Sequence, residues 1–224
     1  MKLTDSINFR LVTYMLLPCA AVQAVVIAAQ HGHAAYSVSE NGPIEWTQFA
    51  VLMISGSILL ARAYKTTTPQ LSRLMAAFPI MAAVRELDKV FDRRIFDGSW
   101  QLTVFAILGL TAWYISRHSK KIADQLTTFL RESSSGLMLA AMLIILGISR
   151  IAGQQTFWEA VMGENHLTVV GRLVEETLEI TGYLILAAAA VEKTFFNLPL
   201  SLQNELAEKE TIQQRNLIPR KQAG

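Results

Sequence analysis

Apolar runs at about 11–30, 44–63, 101–116 and 136–152 dominate the sequence. A helix needs roughly 20 mostly apolar residues to cross a hydrocarbon core. A backbone in lipid must satisfy its own hydrogen bonds, which leaves helices and closed barrels as the only spanning forms. These runs are too long and too continuous for barrel strands. Two further runs reach spanning length only by taking in charge. The run at about 71–91 contains Arg85-Glu86-Leu87-Asp88, and the run at about 167–192 contains GRLVEETLEITGY, residues 171–183. The sequence therefore predicts an all-α polytopic membrane protein, a bundle of about six transmembrane helices over residues 1–196. Residues 197–224 are polar and read as a cytoplasmic tail, with Leu198, Leu202 and Leu206 spaced for a short amphipathic start.

Composition narrows the class further. Hydrophobic residues make up 52% of the chain and charged residues 17%, too apolar for an ordinary small soluble domain. The formal net charge is only +2, and no basic stripe with interleaved aromatics occurs, so nucleic acid is not an expected partner. The lone Cys19 excludes an intrachain disulfide and any CxxC motif.

Short cytoplasmic loops carry the excess of Lys and Arg. With the N-terminus placed inside, fourteen Lys and Arg fall on the cytoplasmic side against Arg93, Arg94 and Arg150 outside, so both termini are expected inside. Trp46, Trp100 and Trp158 then fall near the outer boundary, and Tyr64, Trp113 and Tyr114 near the inner one, as interfacial aromatics do. The expected location is the plasma membrane, the inner membrane of a bacterium. A cleaved signal peptide is the rival for the first span, because His33-Ala34-Ala35 follows it. That span is longer than a usual signal core of about 7–15 residues, and Asp5 precedes it, so retention is expected.

The charged stretch of the last span is the candidate functional feature. At 100° per residue, Asn165, Thr168, Arg172, Glu175, Glu176, Glu179 and Tyr183 share an arc of about 100°. A charge in the bilayer costs about 2.5–3.5 kcal/mol on insertion scales, so this stripe should face the bundle interior or a water-filled cavity. In the third span, Arg85, Asp88, Lys89 and Asp92 share one arc while Glu86 lies about 100° away, and Pro79 is a potential kink. The second span starts at Asn41-Gly42-Pro43 with Glu45 in its first turn. All these acids fall at the outer ends. Glu45, Glu86, Asp88, Asp92, Glu175, Glu176 and Glu179 outnumber Arg85, Lys89 and Arg172, with Arg172 and Glu176 spaced to pair at i, i+4. Crowded carboxylates at low dielectric take up protons or recruit a cation.

Glu86, Asp88, Glu175, Glu176 and Glu179 are thus the candidate catalytic acids, with Arg85 and Arg172 pairing charge. Glu45, Asp88, Glu175, Glu179 and His166 form a candidate metal set, suited to a hard divalent ion such as Mg, Ca or Mn. No HExxH or Glu-x-x-His spacing is present, no histidine sits at haem-ligand depth, and neither haem nor nucleotide is expected. Three functions fit: a cation-dependent hydrolase or transferase of a lipid-type substrate, a proton- or cation-coupled transporter or channel, and a non-catalytic subunit docking on a membrane partner or on a second copy. The charged ends of the third and sixth spans lie on the same side, which argues against an inverted repeat.

Overall fold

The computed structural model describes residues 7–39, 42–66 and 68–196, and the predicted tail lies outside the described residues. Every regular element among them is helical: α1 (Ile7–Gln30), α2 (Ala34–Ser37), α3 (Pro43–Arg62), α4 (Pro69–Glu86), α5 (Asp88–Arg94), α6 (Ser99–Phe129), α7 (Ser133–Leu143), α8 (Ser149–Ala152), α9 (Gln155–Met162) and α10 (Thr168–Val191). A π-helical turn, Ile144–Ile148, joins α7 to α8 without a break in direction of the chain's helical course, and a second, Glu192–Phe196, extends α10. Prolines open α3 and α4, where the missing N–H has no intrahelical partner to lose.

Among the described residues, three helices are long and apolar enough to cross a membrane: Phe9–Gln30, Pro43–Ala61 and Ser133–Ala152. A fourth arises if α5 and α6, bent by 112° at their junction, count as one broken span. α4 and α10 have the length, at 18 and 24 residues, but carry the charges read above.

α10 is the hub, packed by α1, α3 and α7, while α3 packs on α4 and α4 on α6. Leu52, Ala83, Ile145, Tyr183, Leu186 and Ala189 form the main buried cluster at these crossings. Small residues set the approach distances: a Cβ on Gly56 would meet Ile80, and one on Gly182 would meet Ile145. The outward faces are apolar, with Leu11, Met15, Phe105, Leu110 and Leu143 among the exposed side chains.

Two departures from the sequence reading matter for the site. Pro79 sits inside an unbroken α4, and the interruption comes instead at Leu87 (φ −110°, ψ 26°), where α4 gives way to α5. Residues 117–129, expected in a loop, continue α6 beyond a non-helical residue at His118, whose ring stacks on Tyr114. Ile122 and Phe129 are buried there, and Gln125 Oε1 accepts the Leu71 N–H at 2.9 Å, satisfying a donor at the start of α4. Tertiary packing thus holds in a helix a segment whose lysines read as loop.

The end of α10 remote from its glutamate stripe is also tied by ions. Lys193 Nζ donates to Thr68 Oγ1 at 2.8 Å and Glu132 Oε2 at 3.2 Å, 4.7 Å above the Phe129 ring. Glu192 accepts from the Tyr14 hydroxyl at 3.0 Å and pairs with Arg10 at 3.5 Å.

Candidate carboxylate–arginine centre

The first turns of α3, the last turn of α4, the end of α8 and the first half of α10 meet at one end of the bundle. There Glu179 and Tyr183 of the α10 stripe are buried and Glu175 and Glu176 half-buried, whereas Asn165 and Thr168, expected on the same inward face, are exposed. Glu179 is 1% exposed and receives both neighbouring guanidinium groups. Arg85 Nη2 donates to its two oxygens at 3.3 Å each, and Arg150 Nη2 donates to Oε1. Arg150 Nη1 also reaches Glu175 Oε1 at 2.8 Å, and the Glu175 carboxylate lies over Gly153, where a side chain would collide with it.

Two acids also rest on neutral partners. Glu86, 7% exposed, accepts the Tyr183 hydroxyl at 2.8 Å and lies 3.5 Å from Arg85. Glu176 Oε2 accepts from Gln48 Nε2 at 2.8 Å. Gln48 is fully buried, and its Oε1 has no hydrogen-bond partner among the described residues. With Glu176 ionised, the amide must present its NH₂ to the carboxylate, which leaves Oε1 without a donor at a cost of about 1–3 kcal/mol. A proton on Glu176, or a bound donor, removes that cost. Three carboxylates, Glu86, Glu175 and Glu179, therefore share two guanidinium groups, a fourth, Glu176, rests on Gln48, and Glu45 lies within electrostatic reach of Glu86.

The break at Leu87 reverses the assignments made for α4. An unbroken helical wheel places Asp88, Lys89 and Asp92 with Arg85 and turns Glu86 aside. In the structure Glu86 is buried, and the other three belong to α5, beyond the break. Asp88 Oδ1 accepts the Lys89 N–H at 2.5 Å, and Asp92 Oδ1 accepts the Gly98 N–H at 2.9 Å, where Gly98 turns the chain into α6 at φ 84°. Arg172 forms none of the centre's ion pairs and acts on Glu176 only by longer-range attraction. His166 lies in the loop before α10 with Nε2 buried and unpartnered. The expected metal set of Glu45, Asp88, Glu175, Glu179 and His166 is not brought together. Among the described residues no three His, Cys, Asp or Glu side chains converge in a way that could hold a metal ion. Guanidinium groups engage both oxygens of Glu179 and one of Glu175.

Sequence reasoning missed Arg150 and Gln48. Arg150 is the only charge in a long apolar run and has no acid on its own helix, so it had to find one elsewhere. Gln48 follows Glu45 by three residues and shares its face. The π turn adds one residue to that helical path, which shifts the face on which Arg150 emerges.

The fold and centre together define an α-helical bundle with an apolar exterior and an acid-rich, guanidinium-bridged interior at one end. Comparison of the chain with protein-family models, with curated proteins and with solved structures returns no match.

Proposed function

We propose that the chain is a six-span protein of the plasma membrane with both termini cytoplasmic, and that its working part is the carboxylate–arginine centre, opening outward and exchanging protons in step with binding or passage of a solute. One observation carries this reading: Glu86, Glu175 and Glu179 share the two guanidinium groups of Arg85 and Arg150, while a fourth acid, Glu176, leans on the carboxamide of Gln48. Excess negative charge held away from water is balanced most simply by protons. The orientation rests on the distribution of Lys and Arg and on Trp46, Trp100 and Trp158 at the centre's end. α4 and α10 serve as the remaining spans because their charged groups face one another.

Infrared difference spectroscopy across an acid-to-neutral titration, on protein in nanodiscs, tests the centre. A protonated-carboxyl band is expected to diminish in Glu86→Gln and again in Glu176→Gln. An unchanged band in both variants defeats the proposal. Proteoliposome flux under a proton gradient then tests coupling, and cysteine labelling at Asp97 and Lys120 tests the orientation, with only Asp97→Cys reactive from outside.

A further inference from the structure

α6 packs on α4, and α7 packs on α10, yet no comparable packing joins α6 to α7 among the described residues. A groove of about 270 Å³ runs between them. Its walls are apolar, from Phe78 and Met81 on α4, Trp100 and Leu108 on α6, and Leu146 on the π turn. Leu108 and Leu146 are exposed, so the mouth faces the apolar exterior, where lipid would lie. At its inner end stand Arg85 and Tyr183, the two donors that hold Glu86.

Arg85 is the one charged residue among those that line the groove. The Arg85 side chain is 41% exposed, whereas its partners Glu86 and Glu179 are 5% and 1% exposed and lie behind it. A molecule in the groove therefore meets hydrocarbon along its length and a guanidinium at its end. We propose that this groove is a lateral entry for a bilayer-borne amphiphile with a long hydrocarbon chain and an anionic head, and that a long-chain carboxylate is its ligand class. The head pairs with Arg85, and the chain lies along Trp100, Leu108 and Leu146. An anionic head on Arg85 draws that guanidinium from Glu179 and Glu86, so binding is accompanied by proton uptake on the acids left behind. That coupling rests on the proton reading of the centre, whereas the groove and its charge do not.

The probe is cis-parinaric acid, followed by its fluorescence on protein in phosphatidylcholine nanodiscs, with its methyl ester as control. The acid is expected to bind at least about tenfold more tightly than the ester, the scale of one charge-assisted hydrogen-bonded contact. Arg85→Gln is expected to erase that preference. Leu146→Trp fills the mouth from an exposed position and is expected to weaken acid binding without disturbing the fold. Should Arg85→Gln fail to fold, the acid-to-ester ratio and Leu146→Trp still decide. Equal binding of acid and ester, or binding indifferent to Leu146→Trp, overturns the proposal and leaves the groove to bulk lipid. Infrared titration of the same samples separates the two readings: selective binding without a titrating carboxyl band sinks the proton reading alone, and a titrating band with unselective binding sinks the groove alone.

Discussion

At the Val191 end of α10, each acid has its own base: Glu132 holds Lys193, and Glu192 holds Arg10. At the Thr168 end, Glu86, Glu175 and Glu179 share Arg85 and Arg150, and Glu176 rests on Gln48. Both clusters lie at helix ends and both are substantially buried, so burial alone does not distinguish them. Stoichiometry does. A balanced set is complete as folded and resists a change of protonation, because every proton gained leaves a buried cation alone. An acid-rich set has a proton or a ligand still to accept. The balanced end reads as a fastening among α1, α4, α6, α7 and α10, and the acid-rich end is the part proposed to work.

The largest expected effect sharpens this contrast from the balanced end. Glu132→Gln leaves Lys193, whose side chain is 2% exposed, without its carboxylate. Removing one partner of a buried pair costs about 3–5 kcal/mol, and thermal unfolding in detergent should register a loss of that size. Lys193 lies just past the last proposed span, and burial pushes its pKa below the ordinary lysine value of 10.5 while Glu132 pushes it back. Without Glu132 the downward push stands unopposed. The folded state then binds fewer protons than the unfolded chain as pH rises toward the ordinary lysine value, so stability of the variant should recover with rising pH. A loss that stays constant from neutral to alkaline pH would mean that Lys193 is not held as a buried cation.

Arg150→Ala should cost somewhat less, about 3 kcal/mol, because Arg85 remains on Glu179. Its signature is opposite in pH. The missing guanidinium leaves surplus negative charge, and acidification supplies protons to offset it, so the variant should approach the parent as pH falls. If it recovers at alkaline pH instead, the proposed excess of acid is wrong and the two ends do not differ.

How much of this was legible in the sequence follows from what each signal depends on. The helical class and the inward face of the α10 stripe depend on local periodicity and on the cost of charge in lipid, both readable from residue order. Glu175, Glu176, Glu179 and Tyr183 could therefore be placed on one face before any coordinates. The partners could not be so placed. A helical wheel that assumes an unbroken helix draws Asp88 and Asp92 into the site, and the break at Leu87 carries no glycine or proline to announce it. Gln48 and Arg150 come from separate helices, and their approach to α10 is set by packing, by the small residue at Gly182 and by the π turn, none of which has a local signature. The α6 extension past His118 was hidden in the same way, since its lysines and its buried Ile122 and Phe129 lie on different faces of one helix.

The smallest expected effect is the most discriminating. Glu176→Gln replaces an acid whose hydrogen-bond partner is the neutral Gln48, so no buried cation loses its counter-charge. The new carboxamide can donate to Gln48 Oε1, the acceptor left unpartnered in the parent, and accept from Gln48 Nε2 in return. Stability at neutral pH should change by less than about 1 kcal/mol, the scale of one neutral hydrogen bond exchanged for another, or rise slightly. Set beside Glu132→Gln, the same chemical change at the two ends of one helix should differ several-fold in cost. The comparison breaks if Glu176→Gln is as damaging as Glu132→Gln, because Glu176 would then be serving a buried cation, and the acid-rich end would be a second fastening.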